Sequence, residues 1–249
     1  AGCLLLAKCL QSMPGIVVEV HTNGWVSDEK VFEGASAIVV YSDGGGGHPF
    51  LQGDHLEKIG ALMKQGVGLG AIHYGVEPTT ERGNKEFQEW IGGCFETFWS
   101  VNPHWDADFK TLPKHAVTRG VQPFKTNDEW YYHMRFPAGM PRTTPILTAV
   151  PPDSTRGKEG ASSTHGGNPE VQKHKGEPEH VMWVTDRADG GRGFGITGGH
   201  FHKGWGNDDQ RKLVLNAILW IAKASVPASG VESKITPEDL AANLDPKGK

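Results

Sequence analysis

The chain has 249 residues, 37% of them apolar, which is enough to bury one sizeable core, and α/β domains of this size commonly remain single. Twenty-five basic against twenty-nine acidic residues give a net charge of −4 with no Lys/Arg stripe, which argues against a nucleic-acid partner, and no apolar run approaches the length of a membrane span. Three cysteines, Cys3, Cys9 and Cys94, without C-x-x-C spacing exclude a disulfide framework and a zinc knuckle and read as small buried apolar side chains.

The opening "AGCLLLAKCLQSM" is already in helical periodicity, whereas a doubly wound domain is expected to begin with a strand. The expectation is that a first strand lies upstream of Ala1. No signal peptide is read, so the compartment is left between cytoplasm and periplasm for a soluble protein. "GIVVEVH" and "ASAIVVYSD" read as strands separated by the turn-rich "TNGWVSDEKVFEG". "HLEKIGALMKQG" places Leu56, Ile59, Leu62 and Met63 on one helical face, with Gly66 as its stop.

"VGLGAI" is a short apolar run suited to a buried parallel strand, and "HYGVEP" turns sharply away from it. The pair reads as a strand-to-helix elbow that lifts His73 above the sheet edge. Strand and helix alternation predicts a flavodoxin-like α/β domain, a mainly parallel sheet with helices on both faces and a site at the carboxyl ends of the strands.

Residues 100–180 are rich in Pro, Gly, His and aromatic residues and read as a loop-rich elaboration, with strand candidates at "DEWYYHMRF" and "TPILTAV" and a long loop from "PPDSTRG" to "GEPEH". "HVMWVTD" and "GRGFGITGG" form a strand pair meeting at "RADGG". "NDDQRKLVLNAILWIAKA" is the clearest helix, capped by Asn207, with Leu213, Ala217, Leu219 and Trp220 on its apolar face. The domain is expected to span 1–224, followed by a polar tail, 225–249, lying on the surface.

"GLGAIHYGVE", "HAVTRGV" with "NDEWYYHM", and "GRGFGITGGHFHKGWGNDDQRKLVLNAILWIA" together resemble the trehalose-utilisation (ThuA-like) family over about residues 1–224. The resemblance implies a class I glutamine amidotransferase-like fold and a role in carbohydrate metabolism, tied to trehalose and related disaccharides through 3-keto sugars. The amidotransferases carry a cysteine at the elbow. His73 in its place cannot readily form and release an acyl intermediate, so glutaminase activity is not expected.

The chemistry-bearing candidates sit at the predicted strand ends. His73, Glu129 and His200 are the catalytic set, with imidazole and carboxylate suited to proton transfer near neutral pH. Asp128 and Glu129 alternate, so one of them faces the pocket, and Glu129 is favoured. His73, His104, His133 and His200 are candidate ligands for a divalent metal such as zinc, which would be the cofactor. A hydrogen-bonded histidine cluster without metal accounts for the same residues. His48, His104, Trp105, His202 and Trp205 are candidate substrate contacts, the indoles because aromatic faces suit sugar rings, and His200 and His202 share a side if the backbone stays extended. For His48 and His202 taken singly, a solvated loop histidine is the plainer account. The glycine run "SDGGGGHP" lacks P-loop spacing and reads as close backbone approach to the elbow or a ligand.

Two functional readings follow. One is an enzyme acting on a disaccharide or keto-glycoside, by proton abstraction or hydration next to a keto group. The other is a non-catalytic sugar-binding or assembly module on the same fold. The expected partner is a small carbohydrate, with self-association into a homo-oligomer left open.

Overall fold

The computed structural model describes residues 1–158 and 165–244. In chain order the elements are α1 (Gly2–Gln11), β1 (Ala37–Val40), α2 (His55–Lys64), β2 (Gly68–Ile72), α3 (Asn84–Trp90), β3 (His104–Phe109), β4 (Phe124–Glu129), β5 (Thr143–Ala149), α4 (Pro169–Lys173), β6 (Glu179–Asp186), β7 (Arg192–Ile196), α5 (Asp208–Ile221) and α6 (Pro237–Ala241). Strands β1, β2, β7, β6 and β5 form one sheet in that spatial order. The first three are parallel, and β6 is antiparallel to both neighbours. Consequently β5 points the same way as β1, β2 and β7, and β6 alone is reversed.

Helices cover both faces, as the alternation of elements predicts. On one face Leu5, Leu6 and Leu10 of α1 join Leu213, Val214 and Ala217 of α5. On the other, Leu56, Ile59 and Met63 of α2 join Phe87 and Trp90 of α3. The strand β2 reads "GLGAI" without alternation because both its faces are covered, and all of its residues are buried. Helix α5 starts where Asn207 accepts the N–H groups of Asp209 and Gln210, the cap its sequence announces. Gly66, with φ 82°, ends the α2 region in the left-handed conformation that glycine adopts freely.

The β6–β7 hairpin turns at the expected "RADGG", and β5 falls on "TPILTAV". A separate two-stranded sheet, β3 with β4, stands beside the main one and carries part of the site. Three expectations need correction. "GIVVEVH" forms no ladder: Ile16 and Val18 pack against the core while Val17 is 89% exposed, a strand-like alternation without a hydrogen-bonded neighbour among the described residues. "DEWYYHMRF" contributes only its first two residues to a strand, since β4 ends at Glu129 and the chain beyond it makes isolated bridges at Tyr132 and Arg135. Strand β3 had no counterpart in the predicted elements, because "HWDADF" alternates polar and apolar within a segment that composition marks as loop.

In the tail, Val226 and Val231 are buried against the core and α6 follows them. Residues 159–164 of the long loop and 245–249 of the tail lie outside the described residues. Among the described residues no helix is long and apolar enough to cross a membrane.

Candidate functional site

At the end of β2 the chain enters a 3-10 turn, His73–Val76, and His73 holds a left-handed backbone with φ 53°. A non-glycine residue in that region is held there by its surroundings, and such residues gather at functional turns. The glycine run supplies part of the restraint. A Cβ on Gly44 would lie 2.3 Å from the Tyr74 carbonyl oxygen, and Gly45 N–H donates to the Glu77 carbonyl at 2.8 Å. The run is therefore the close approach to the elbow that its lack of P-loop spacing suggests.

His73 Nδ1 lies 2.9 Å from the Thr197 carbonyl oxygen, just past β7. A carbonyl only accepts, so Nδ1 carries the proton and the Nε2 lone pair faces outward. Nε2 meets the Tyr131 hydroxyl at 3.3 Å, His200 Nδ1 at 3.3 Å and Glu129 Oε2 at 3.4 Å. Glu129 Oε2 and His200 Nδ1 are 3.0 Å apart. Burial pushes His73 below the ordinary histidine value, against its bond to Thr197, while Glu129 is pushed up by burial against the pull of His200 and His104.

The neighbouring strand ends deliver the other two donors. Glu129 is the last residue of β4, and the β3–β4 register sets His104 directly opposite it. His104 Nε2 lies 3.8 Å from Glu129 Oε1 at the exposed rim, and Asn102 Nδ2 donates to the same oxygen at 3.2 Å. Asp128 points the other way and is fully buried. Its carboxylate accepts the backbone N–H groups of Glu129 (2.8 Å), Gly199 (2.8 Å) and Phe201 (3.1 Å), fixing the loop that presents His200. The tandem carboxylates thus divide the work by strand alternation: Glu129 faces the pocket and Asp128 holds the scaffold.

His73, Asn102, Glu129 and His200 line a cavity of about 320 Å³ together with Tyr74, Tyr131 and His165, at the lower end of the range for small-molecule pockets. Among the described residues, His73, Glu129 and His200 are the set whose donor atoms come close enough together to hold an ion. In a tetrahedral site with bonds of about 2.0–2.1 Å, neighbouring ligand atoms stand roughly 3.3–3.4 Å apart. The separations of 3.0, 3.3 and 3.4 Å found here fit one face of such a tetrahedron. Two imidazoles and a carboxylate are a donor set that suits zinc and other borderline divalent ions.

Several candidate residues lie elsewhere. His133, also with φ 57°, turns its ring away to stack on Trp99 and places Nδ1 3.4 Å from Glu179, so it is not a ligand of the cluster. The chain has left the strand at Glu129, and alternation no longer carries the side chain back to the pocket. His48 is neither a substrate contact nor solvated: it is 0% exposed, bonds to Gly75 O at 3.2 Å and accepts Phe50 N–H at 3.1 Å, a clamp beneath the elbow. Trp105 is a core residue whose Nε1 donates to Trp130 O, and Trp205 is fully buried, so neither offers a face to a ligand. His202 begins a 3-10 turn, His202–Gly206, that packs against α6 away from the pocket, because the extended backbone it would need to share a side with His200 stops at Phe201.

Sequence reading missed Tyr74, Asn102, Tyr131, His165 and the buried Glu77 behind them. Tyr131 sits two residues past Glu129 and Asn102 two before His104, so both lie just outside the strand ends that carry the site, where sequence position alone could have drawn attention to them. Nothing in the loop around His165 announced where its ring would fall.

A profile of the family ThuA, described as trehalose utilisation, matches residues 2–221. Among solved structures, a ThuA-like protein from Bacteroides uniformis ATCC 8492 superposes with a TM-score of 0.59 at 15% identity, covering 88% of this chain and 85% of that one. A ThuA-like protein from Parabacteroides merdae ATCC 43184 gives a TM-score of 0.55 at 15% identity over 94% of this chain and 87% of that one. At that identity the likeness speaks to the fold alone. No curated protein matches the chain.

Proposed function

The chain belongs to the trehalose-utilisation family, ThuA, and from that premise we propose that the pocket at the sheet's carboxyl edge binds a disaccharide or keto-glycoside beside a divalent metal held by His73, Glu129 and His200. Family membership carries the carbohydrate-related role. The finer assignment rests on one observation: three donor atoms, one of them with its lone pair fixed outward by Thr197, meet at the spacing of ligands around a single small cation. The outward lone pair of His73 and the Glu129 carboxylate face one another at 3.4 Å, an arrangement that a shared proton or cation stabilises in a partly buried site.

His104 stands at the rim as a fourth donor within reach of Glu129, and Asn102 and Tyr131 fix the carboxylate and the elbow imidazole respectively. A divalent ion, when bound, polarises a sugar oxygen as a Lewis acid. Tyr74, Tyr131 and His165 close the cavity around the ring that would present that oxygen. We expect no glutaminase activity, since an imidazole occupies the elbow where that chemistry needs a thiolate.

Elemental analysis of the purified chain, followed by zinc titration and by trehalose and 3-keto-trehalose titrations with and without metal, tests this reading. Stoichiometric zinc and sugar binding, both lost in His73→Ala and His200→Ala, support it. Sugar binding without metal, unaffected by those substitutions, would leave a binding module whose site lies elsewhere.

A further inference from the structure

Behind the pocket lies a second carboxyl group. Glu77 closes the elbow turn that His73 opens and is 2% exposed. Its Oε1 lies 3.1 Å from His165 Nε2, and its Oε2 is buried without a hydrogen-bond partner among the described residues. The titratable groups facing it are Tyr74 from the same turn, Glu129 and Tyr131 from the end of β4 and just beyond, Cys94, and His165 from the long loop. None of the first four is a cation, so among these described groups only a protonated His165 would favour a carboxylate.

Burial, reinforced by the Glu129 charge, pushes Glu77 up to about 8. Burial also pushes His165 below the ordinary histidine value. Both shifts favour a neutral pair in which the carboxyl O–H donates to Nε2. The His165 ring, partly exposed, lines the same cavity as His73 and Glu129 and leans on Phe95, which also abuts Tyr131.

We propose that Glu77 and His165 form a second proton-carrying arm of the pocket, set against the His73–Glu129–His200 cluster. His165 is the residue that touches the bound molecule, and Glu77 is the positioning residue behind it. In the transfer, the O–H bond of the Glu77 carboxyl breaks as an N–H bond forms at His165 Nε2. The imidazole passes its Nδ1 proton to an oxygen of the bound sugar; solvent at the partly exposed ring then protonates Nδ1, and the Nε2 proton returns to the Glu77 carboxylate, which restores the pair. The arm's role rests on the reading of this cavity as a sugar site. The pairing of the two side chains does not.

The test takes the full chain with ¹³C-labelled glutamate carboxyls and ¹⁵N-labelled imidazoles, using Glu77→Gln and His165→Asn to assign the signals. The expected result in the metal-free chain is a Glu77 carboxyl that titrates near 8 and a His165 imidazole that follows the same step and loses it in Glu77→Gln. A Glu77 signal in the ordinary carboxylate range, or a His165 titration indifferent to Glu77→Gln, overturns the pairing. Calorimetry with 3-keto-trehalose as probe, in buffers of different ionisation enthalpy, reads the arm's role. Binding by the unaltered chain should exchange a proton across that step, and Glu77→Gln should abolish the exchange while keeping affinity within about tenfold, or 1.4 kcal/mol. Exchange that persists in both variants overturns the role. If the probe does not bind at all, the sugar reading and the arm's role fall together, while the magnetic-resonance result still decides the pair.

Discussion

His73 joins two demands in one ring, and they can be separated by substitution. Its Nδ1–H satisfies the Thr197 carbonyl and its Nε2 faces the cluster. His73→Ala should therefore cost stability, about 1–3 kcal/mol for the carbonyl left without its donor. It should also lower zinc affinity by more than the roughly 10–100-fold that loss of an outer hydrogen-bond partner costs. Calorimetric melting of the metal-free variant and zinc titration read the two effects independently, and a variant that melts early yet binds zinc as before would remove His73 from the site. Asp128 supplies the contrast. It touches no ligand, but Asp128→Asn replaces one of the oxygens that accept three backbone N–H groups and should lower zinc affinity about 10–100-fold by loosening the His200 loop. At this scale the sequence was legible where a strand ends: His73, Glu129 and His200 follow from elbow, alternation and turn. His48, Trp105 and Trp205 were not legible as core residues, because a histidine or tryptophan among glycines gives no local sign of being buried.

The elbow depends on an element that never touches the pocket. The glycine run after β1 lies so close to the turn that a Cβ on Gly44 would fall 2.3 Å from the Tyr74 carbonyl oxygen, a backbone atom that cannot swing aside. Gly44→Ala should displace the His73–Val76 turn, lowering melting temperature and zinc affinity together. Asn207→Ala, which removes the cap of α5, should cost about 1 kcal/mol and leave zinc affinity unchanged. The pair of titrations distinguishes site geometry from general stability. Elements of strong periodicity, α2, β2 and α5, were readable because burial on one face or both imposes a pattern on the residues. The β3–β4 hairpin was half-read. Its second strand was displaced along "DEWYYHMRF" because Trp130, Tyr131 and Tyr132 have strand propensity yet pack in irregular backbone, where tertiary contacts override propensity.

For the molecule as a whole, two buried groups set opposite pH dependences. Glu77 is raised to about 8 from an ordinary value near 4.5, so its contribution is present at low pH and is lost as pH rises through about 8. His48 is lowered to about 4 by burial, so its contribution is present above the ordinary histidine range and is lost as pH falls through about 4. Melting curves across pH should show Glu77→Gln gaining on the unaltered chain on the alkaline side and His48→Asn gaining on the acid side. Parallel curves would show that these groups titrate normally. The α/β class and the placement of the site at the carboxyl edge were open to sequence reading, since connection rules confine function to that edge. The reversal of β6 against β7 follows from the hairpin at "RADGG", but the arrival of His165 was not legible, because long connections leave few local constraints on where they return. The central claim is a metal held by two imidazoles and a carboxylate, and X-ray absorption on the zinc-loaded full chain tests it most directly. The expected spectrum has nitrogen and oxygen neighbours at about 2.0–2.2 Å with imidazole scattering that weakens in His200→Ala. A chain that retains no zinc, or a sulfur shell at about 2.3 Å, would contradict it.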